Sequence, residues 1–149
     1  MITISKKGIN KIVKAINGNI SKNGSYFLMS WNKGNSKFSN KRDNILITLD
    51  RHMPDIFAIH EANFNGNRDK GFQKYNIEAK YLNSDYSTDA RTILLLRQGI
   101  IFNRRQDLED KHISSIWVEI ILSKRKTLLV CAYYRQWSLP NVCNVTYIW

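Results

Sequence analysis

Three observations in the sequence predict an α/β fold. Residues 25–59 run strand, helix, strand; the pattern from residue 92 onward is strand after strand; and the last long strand is apolar on both faces, so it needs cover on two sides. Two strands joined through a helix favour a parallel pair with a right-handed crossover. The chain has 149 residues, 43% hydrophobic and 11% aromatic, which is one domain's worth with enough apolar surface for a packed core.

The elements follow in order. Residues 1–24 read as a basic extension, in which Ile9, Ile12, Val13 and Ile16 fall at the spacing of a short amphipathic helix, broken by Gly18, Asn19, Asn23 and Gly24. "SYFLMSWN" (25–32) is apolar and aromatic and predicts a buried strand; "KGNSKFSN" is a polar loop. Asn40 is placed to cap the next helix, with Asp43 three residues on, where a carboxylate suits the free amides. Ile45, Leu46, Leu49 and Met53 share one face of that helix, and Pro54 stops it. Asp55–Ile59 is the next strand. Residues 62–90 are rich in Asn, Asp and Gly, with "YNIEAKYL" as a short strand among them. Strands follow at "TILLLR" (92–97), "IIFNR", "SSIWVEIIL" (114–122) and "TLLVCAYYR" (127–135), with Gln98-Gly99 as one turn and "SKRK" as a hairpin turn. In the last strand Leu128, Val130, Ala132 and Tyr134 share one face, and Leu129, Cys131, Tyr133 and Arg135 the other. Strands buried this heavily need a second layer, and the sequence ends on "NVTYIW" before one is supplied, so residues 25–149 are expected to be a truncated domain.

Charge narrows the partners. The net charge is +11, and no acidic residue precedes Asp43, while Lys6, Lys7, Lys11, Lys14, Lys22, Lys33, Lys37, Lys41 and Arg42 all do. A field of one sign over that much chain suits a polyanion, nucleic acid before an anionic membrane surface; a solvated Lys/Asn-rich composition is the plainer alternative. No apolar run reaches the ~20 residues of a membrane span. Of the two cysteines, Cys131 lies inside an apolar strand, which suits reduced intracellular packing better than a disulfide framework.

Two polar residues stand at strand ends in the α/β unit: Asn32 after "FLMSW" and Glu61 after "DIFAIH". Carboxyl ends of parallel strands face one way, and such folds place ligands there. An amide oxygen beside a carboxylate is a hard-oxygen pair of the type that holds Mg²⁺ or Mn²⁺ while leaving waters for the substrate; a Glu merely solvated at a strand end is the plainer reading.

"FLMSWN" followed by a helix and "PDIFAIHE" resembles the opening of the exonuclease–endonuclease–phosphatase superfamily, whose members begin with a strand ending in Trp-Asn and continue to "PDI-x-x-x-QE". "ILLLRQGIIFNRRQDLEDKHISSIWVEIILSKRKTLLVCAYYRQWS" is similar to the strand and hairpin block of the retroelement (non-LTR retrotransposon) endonucleases, which runs to a "YRPP" element. The resemblance spans roughly residues 26–138. It implies a partial four-layer α/β sandwich and a Mg²⁺ (or Mn²⁺) phosphodiesterase that nicks DNA by in-line attack of water. It implies roles for Asn32 in the phosphate and metal site, for Glu61 as the metal carboxylate and for Tyr134 at the scissile phosphate. Lys33, Lys37, Lys41, Arg42 and Arg135 become the DNA-contacting cations, and the resemblance further implies a nuclear location beside a reverse transcriptase.

The sequence departs from the pattern in places. His60 stands where relatives carry Gln, and either a backbone-bonded polar residue or a new catalytic group fits it. Gln136-Trp137 replace the prolines, and Asp89-Ala90-Arg91 stand where relatives have glycines. Neither a Gly-Asp-x-Asn element nor a terminal Asp-His pair follows Tyr134. His52 and His112 are expected at the surface. A nucleic-acid-binding remnant without catalysis therefore stays open, as does a same-fold phosphatase or phosphodiesterase acting on lipid or nucleotide.

Overall fold

A computed structural model describes residues 11–14, 26–34, 37–65, 70–80, 90–110, 113–134 and 145–148. Its first sheet contains β1 (Lys11–Lys14), β2 (Phe27–Asn32), β3 (Ile56–Phe64), β4 (Tyr75–Lys80) and β5 (Ala90–Arg97), in the order β1-β2-β3-β5-β4. The second contains β6 (Phe102–Arg104), β7 (Ser114–Ser123), β8 (Lys126–Tyr134) and β9 (Val145–Ile148), in that order. β2 and β3 are parallel, as the intervening helix α1 (Phe38–His52) requires, and every other pairing is antiparallel.

The alternation of the strands sorts their side chains into two cores. Met29, Phe57, Ile59, Ile93 and Leu95 pack against Ile45 and Leu49 of α1, with Phe72 and Tyr75. Leu28, Ile56, Ala58, Leu94 and Leu96 meet Ile116, Val118, Ile120, Val130 and Ala132 of the second sheet. Helix, sheet and sheet are three layers of the expected sandwich. β3 and β5 carry apolar residues on both faces because both faces are covered. The hairpin of β7 and β8 turns at Lys124-Arg125, inside the predicted "SKRK".

Several local expectations change. Residues 11–14 form an edge strand paired with β2, not helix: the free edge of β2 offers backbone partners, and β-branched Ile12 and Val13 suit a strand. α1 begins at Phe38, and Lys37, not Asn40, stands at its N-cap without a side-chain bond. The aromatic stack of Phe38 on Phe64 and Phe72 draws the helix start forward. Met53 leaves the packed face. It adopts the left-handed conformation at φ 43°, bonds its N–H to the Leu49 carbonyl at 2.8 Å, and is exposed, since Pro54 forbids another turn. Asp55 precedes the strand rather than opening it. Its carboxylate accepts the Phe27 N–H at 2.7 Å and pairs with Arg97, tying the starts of β2 and β3 to the end of β5.

Candidate active site

β2 ends at Asn32, directly beside His60 of β3 in the parallel register. β3 does not end at Ile59 as expected but runs on to Phe64 through a bulge. Phe57 and Ile59 face α1, and so do Ala62 and Phe64; the switch from odd to even positions means that the alternation is broken between them, at the bulge. The bulge is accommodated by left-handed backbone at Glu61 (φ 53°) and Asn63 (φ 47°). His60 and Glu61 therefore share the face turned towards the second sheet. Asn tolerates left-handed backbone; Glu does so only under constraint.

At this edge the Asn32 amide donates to Glu61 Oε1 at 3.2 Å, and its own oxygen accepts the Gly34 N–H at 2.9 Å. Tyr134 closes the group from the second sheet. Burial raises the pKa of its phenol, as do the charge of Glu61 and the hydrogen bond to that carboxylate, so the hydroxyl stays protonated. Asn32, Glu61 and Tyr134 thus meet from three strands in two sheets. Beneath them lies a buried polar layer. Thr92, opposite His60 in β5, donates from Oγ1 to the Ser114 carbonyl at 3.2 Å, and Ser114 Oγ bonds Thr92 Oγ1 at 3.0 Å. Ser114 in turn pairs with Tyr134 across the hairpin.

His60 belongs to this layer. It is 3% exposed, and burial lowers its pKa to about 4, so it is a neutral imidazole within the fold. The Lys33 N–H donates to its backbone carbonyl at 3.1 Å.

The cations named from the sequence divide. Lys33 is only 6% exposed, with Nζ donating to the Gly34 carbonyl at 3.1 Å. Burial lowers its pKa; Glu61 opposes that shift, while Lys41 and Arg91 add to it. Lys37 is exposed, Lys41 is half-buried, and Arg42 pairs with neighbouring Asp43 at 3.0 Å. Arg135 and His112 lie outside the described residues, and His52 is exposed at the far end of α1. Arg91, absent from the sequence-derived set, sits in this field and donates to Asn63 Oδ1 at 3.1 Å. Only the bulge register brings it here, and no local pattern reveals that.

One carboxylate and one amide at a half-open rim fit a hard cation that keeps most of its waters. They do not make an all-protein cage: among the described residues no three His, Cys, Asp or Glu side chains gather to hold a metal.

The solved endonuclease domain of TRAS1, a telomere-specific non-LTR retrotransposon, matches this chain with a TM-score of 0.59 at 15% sequence identity. The chain shares the fold of the matched part of that domain. The match takes in 77% of this chain and 48% of the TRAS1 domain, so the chain spans about half that endonuclease domain's length. No protein-family model matches the sequence, nor does any curated protein. Among the described residues no helix is long and apolar enough to cross a membrane.

Proposed function

We propose that this chain carries the metal- and phosphate-holding part of a DNA endonuclease site. The observation behind the proposal is the convergence of Asn32, Glu61 and Tyr134 on one rim from three strands. Glu61 and the Asn32 oxygen, once its amide turns, would hold Mg²⁺ or Mn²⁺. That ion supplies charge neutralisation at a phosphodiester and at its leaving oxygen. Tyr134, kept protonated, donates a hydrogen bond, to Glu61 in the free protein and to a phosphate oxygen once DNA is bound. Lys33 and Lys41 add a positive field, and the buried layer under them keeps water away from one side, so that field acts with little screening. His60 is uncharged at neutral pH and shapes the floor.

Paramagnetic Mn²⁺ tests the metal assignment. It should broaden the NMR signals of Asn32 and Glu61 first, and Glu61→Ala should weaken binding by more than about tenfold. Broadening that avoids this rim, or survives Glu61→Ala, overturns it.

Catalysis is a separate question, because His60, the histidine beside the rim, is buried with its pKa lowered to about 4, which makes it a weak base for taking a proton from water. Residues 1–149 alone are therefore expected to leave supercoiled plasmid at the background nicking rate in Mg²⁺ while still binding it. This favours binding without hydrolysis as the second reading for the isolated chain. Nicking well above background, lost in EDTA and in Glu61→Ala, would show that these residues suffice for catalysis.

A further inference from the structure

The bulge that lifts Glu61 out of the pleat has an opposite side. Between the pairs His60↔Thr92 and Phe64↔Ala90, three residues of β3, Glu61 to Asn63, face a single residue of β5, and that residue is Arg91. Such a mismatch pushes the longer strand outward and leaves the lone residue opposite at the mouth of the opening. Asn63 holds the guanidinium there: its left-handed backbone turns the side-chain oxygen to accept from Arg91 Nη1 at 3.1 Å. Arg91 is half-buried, and its charge is felt by Tyr134 on one side of the rim and by Lys33 on the other. Around Lys33 the charges that act are those of Glu61, Lys41 and Arg91. Counting Lys33 itself, that is three positive groups about one carboxylate, a balance that suits an incoming anion.

We propose that Arg91 is the phosphate-gripping residue of this rim, presenting its guanidinium across the β3 bulge to the non-bridging oxygens of one phosphate group beside Glu61. This rests on the reading of the rim as a phosphodiester site, but it assigns the grip to a residue outside the lysine-rich loop and helix. The physical reason is shape. A guanidinium is planar and offers parallel N–H donors that match two phosphate oxygens, whereas an ammonium is a point charge on a flexible stem. Asn63 fixes one edge of that plane, so less side-chain freedom is lost when a phosphate binds. Lys33 cannot take this part as it stands, because it is buried and bonds its ammonium to Gly34.

The test uses residues 1–149 and inorganic phosphate in EDTA, so that no metal takes part. In an NMR titration, the Arg91 Nε–Hε signal should move saturably with phosphate. Arg91→Gln should weaken phosphate binding by about tenfold, the loss of one charge-assisted hydrogen-bonded grip. Arg91→Lys, which keeps the charge and the bulk, should still lose at least about threefold, because the fork is gone. It stands in for Arg91→Gln should that variant fail to fold. Arg51→Gln, at the far end of α1, should leave phosphate affinity as it was. A stationary Arg91 signal, full binding by Arg91→Lys, or an equal loss in Arg51→Gln overturns the proposal. The Mn²⁺ measurement separates the two claims. Phosphate binding through Arg91 without Mn²⁺ at Glu61 removes the metal reading and leaves the grip; Mn²⁺ at Glu61 with no effect of Arg91 does the reverse.

Discussion

Glu61 holds a left-handed backbone at φ 53°, which costs a residue with a Cβ about 1–2 kcal/mol relative to extended or helical backbone. That cost is tolerated because the bulge aims the carboxylate at Asn32 and Tyr134. The consequence is a reversed ranking of two substitutions. Alanine ordinarily stabilises relative to glycine, but here Glu61→Gly should be more stable than Glu61→Ala by about 1 kcal/mol. Urea unfolding of the two variants checks it; alanine as the more stable one would remove the strain from the account. His60 sets a second test. Its pKa falls from the ordinary 6.5 to about 4 on burial, so the unfolded chain binds the extra proton between those values. Stability present above pH 6.5 is then lost as pH falls towards 4, by about 3 kcal/mol. Urea midpoints across this window should slope down, and the slope should flatten in His60→Gln. An unchanged slope in that variant would assign the acid sensitivity elsewhere.

Among the elements, the two sheets are fastened on one side by a buried ion cluster. Glu109 follows β6, and its side chain is 3% exposed. Arg104 grips it with Nε at 2.9 Å and Nη2 at 3.2 Å, and also bonds Glu78 of β4 at 3.1 Å. Lys80 of β4 reaches the same carboxylate at 3.1 Å. Burial opposes the Glu109 charge, yet the bonds from Arg104 and Lys80 together hold its pKa below the usual carboxylate value. Its stabilisation is therefore present above the unfolded pKa of ~4.3 and lost as pH falls below it, a window under that of His60. Glu109→Ala takes the carboxylate from Lys80, leaves Arg104 with Glu78 alone, and should cost about 3 kcal/mol at neutral pH. Thermal melts of this variant measure the loss, and a cost below 1 kcal/mol would show that the cluster is open to water. A tighter contact lies under α1, where a Cβ on Gly71 would come within 2.6 Å of the Leu46 side chain. A larger residue there would have to displace the end of the Leu46 side chain.

For the whole molecule, the charge of +11 and the acid-free stretch before Asp43 predict duplex binding driven by counterion release. If Lys33, Lys37, Lys41, Arg42 and Arg91 approach phosphates, the log–log slope of affinity against salt should be about −3 to −5. Fluorescence anisotropy with labelled duplexes of unrelated sequence gives this slope. Affinity indifferent to salt would leave the basic residues as solubilisers.

The α/β class, the parallel β2–β3 pair, the β7–β8 hairpin and the strand-end place of Asn32 were legible in the sequence, because apolar period and turn residues are local signals. The N-terminal strand, the start of α1 at Phe38 and the place of Arg91 were not. A free strand edge, an aromatic stack and a bulge register are each made by residues far apart in the chain. Even the carboxylate was only half legible. Its chemistry is written at position 61, but strict alternation from Ile59 would have turned it away from the second sheet. Only the inserted bulge, with left-handed backbone held by tertiary packing, brings it onto the rim with Tyr134.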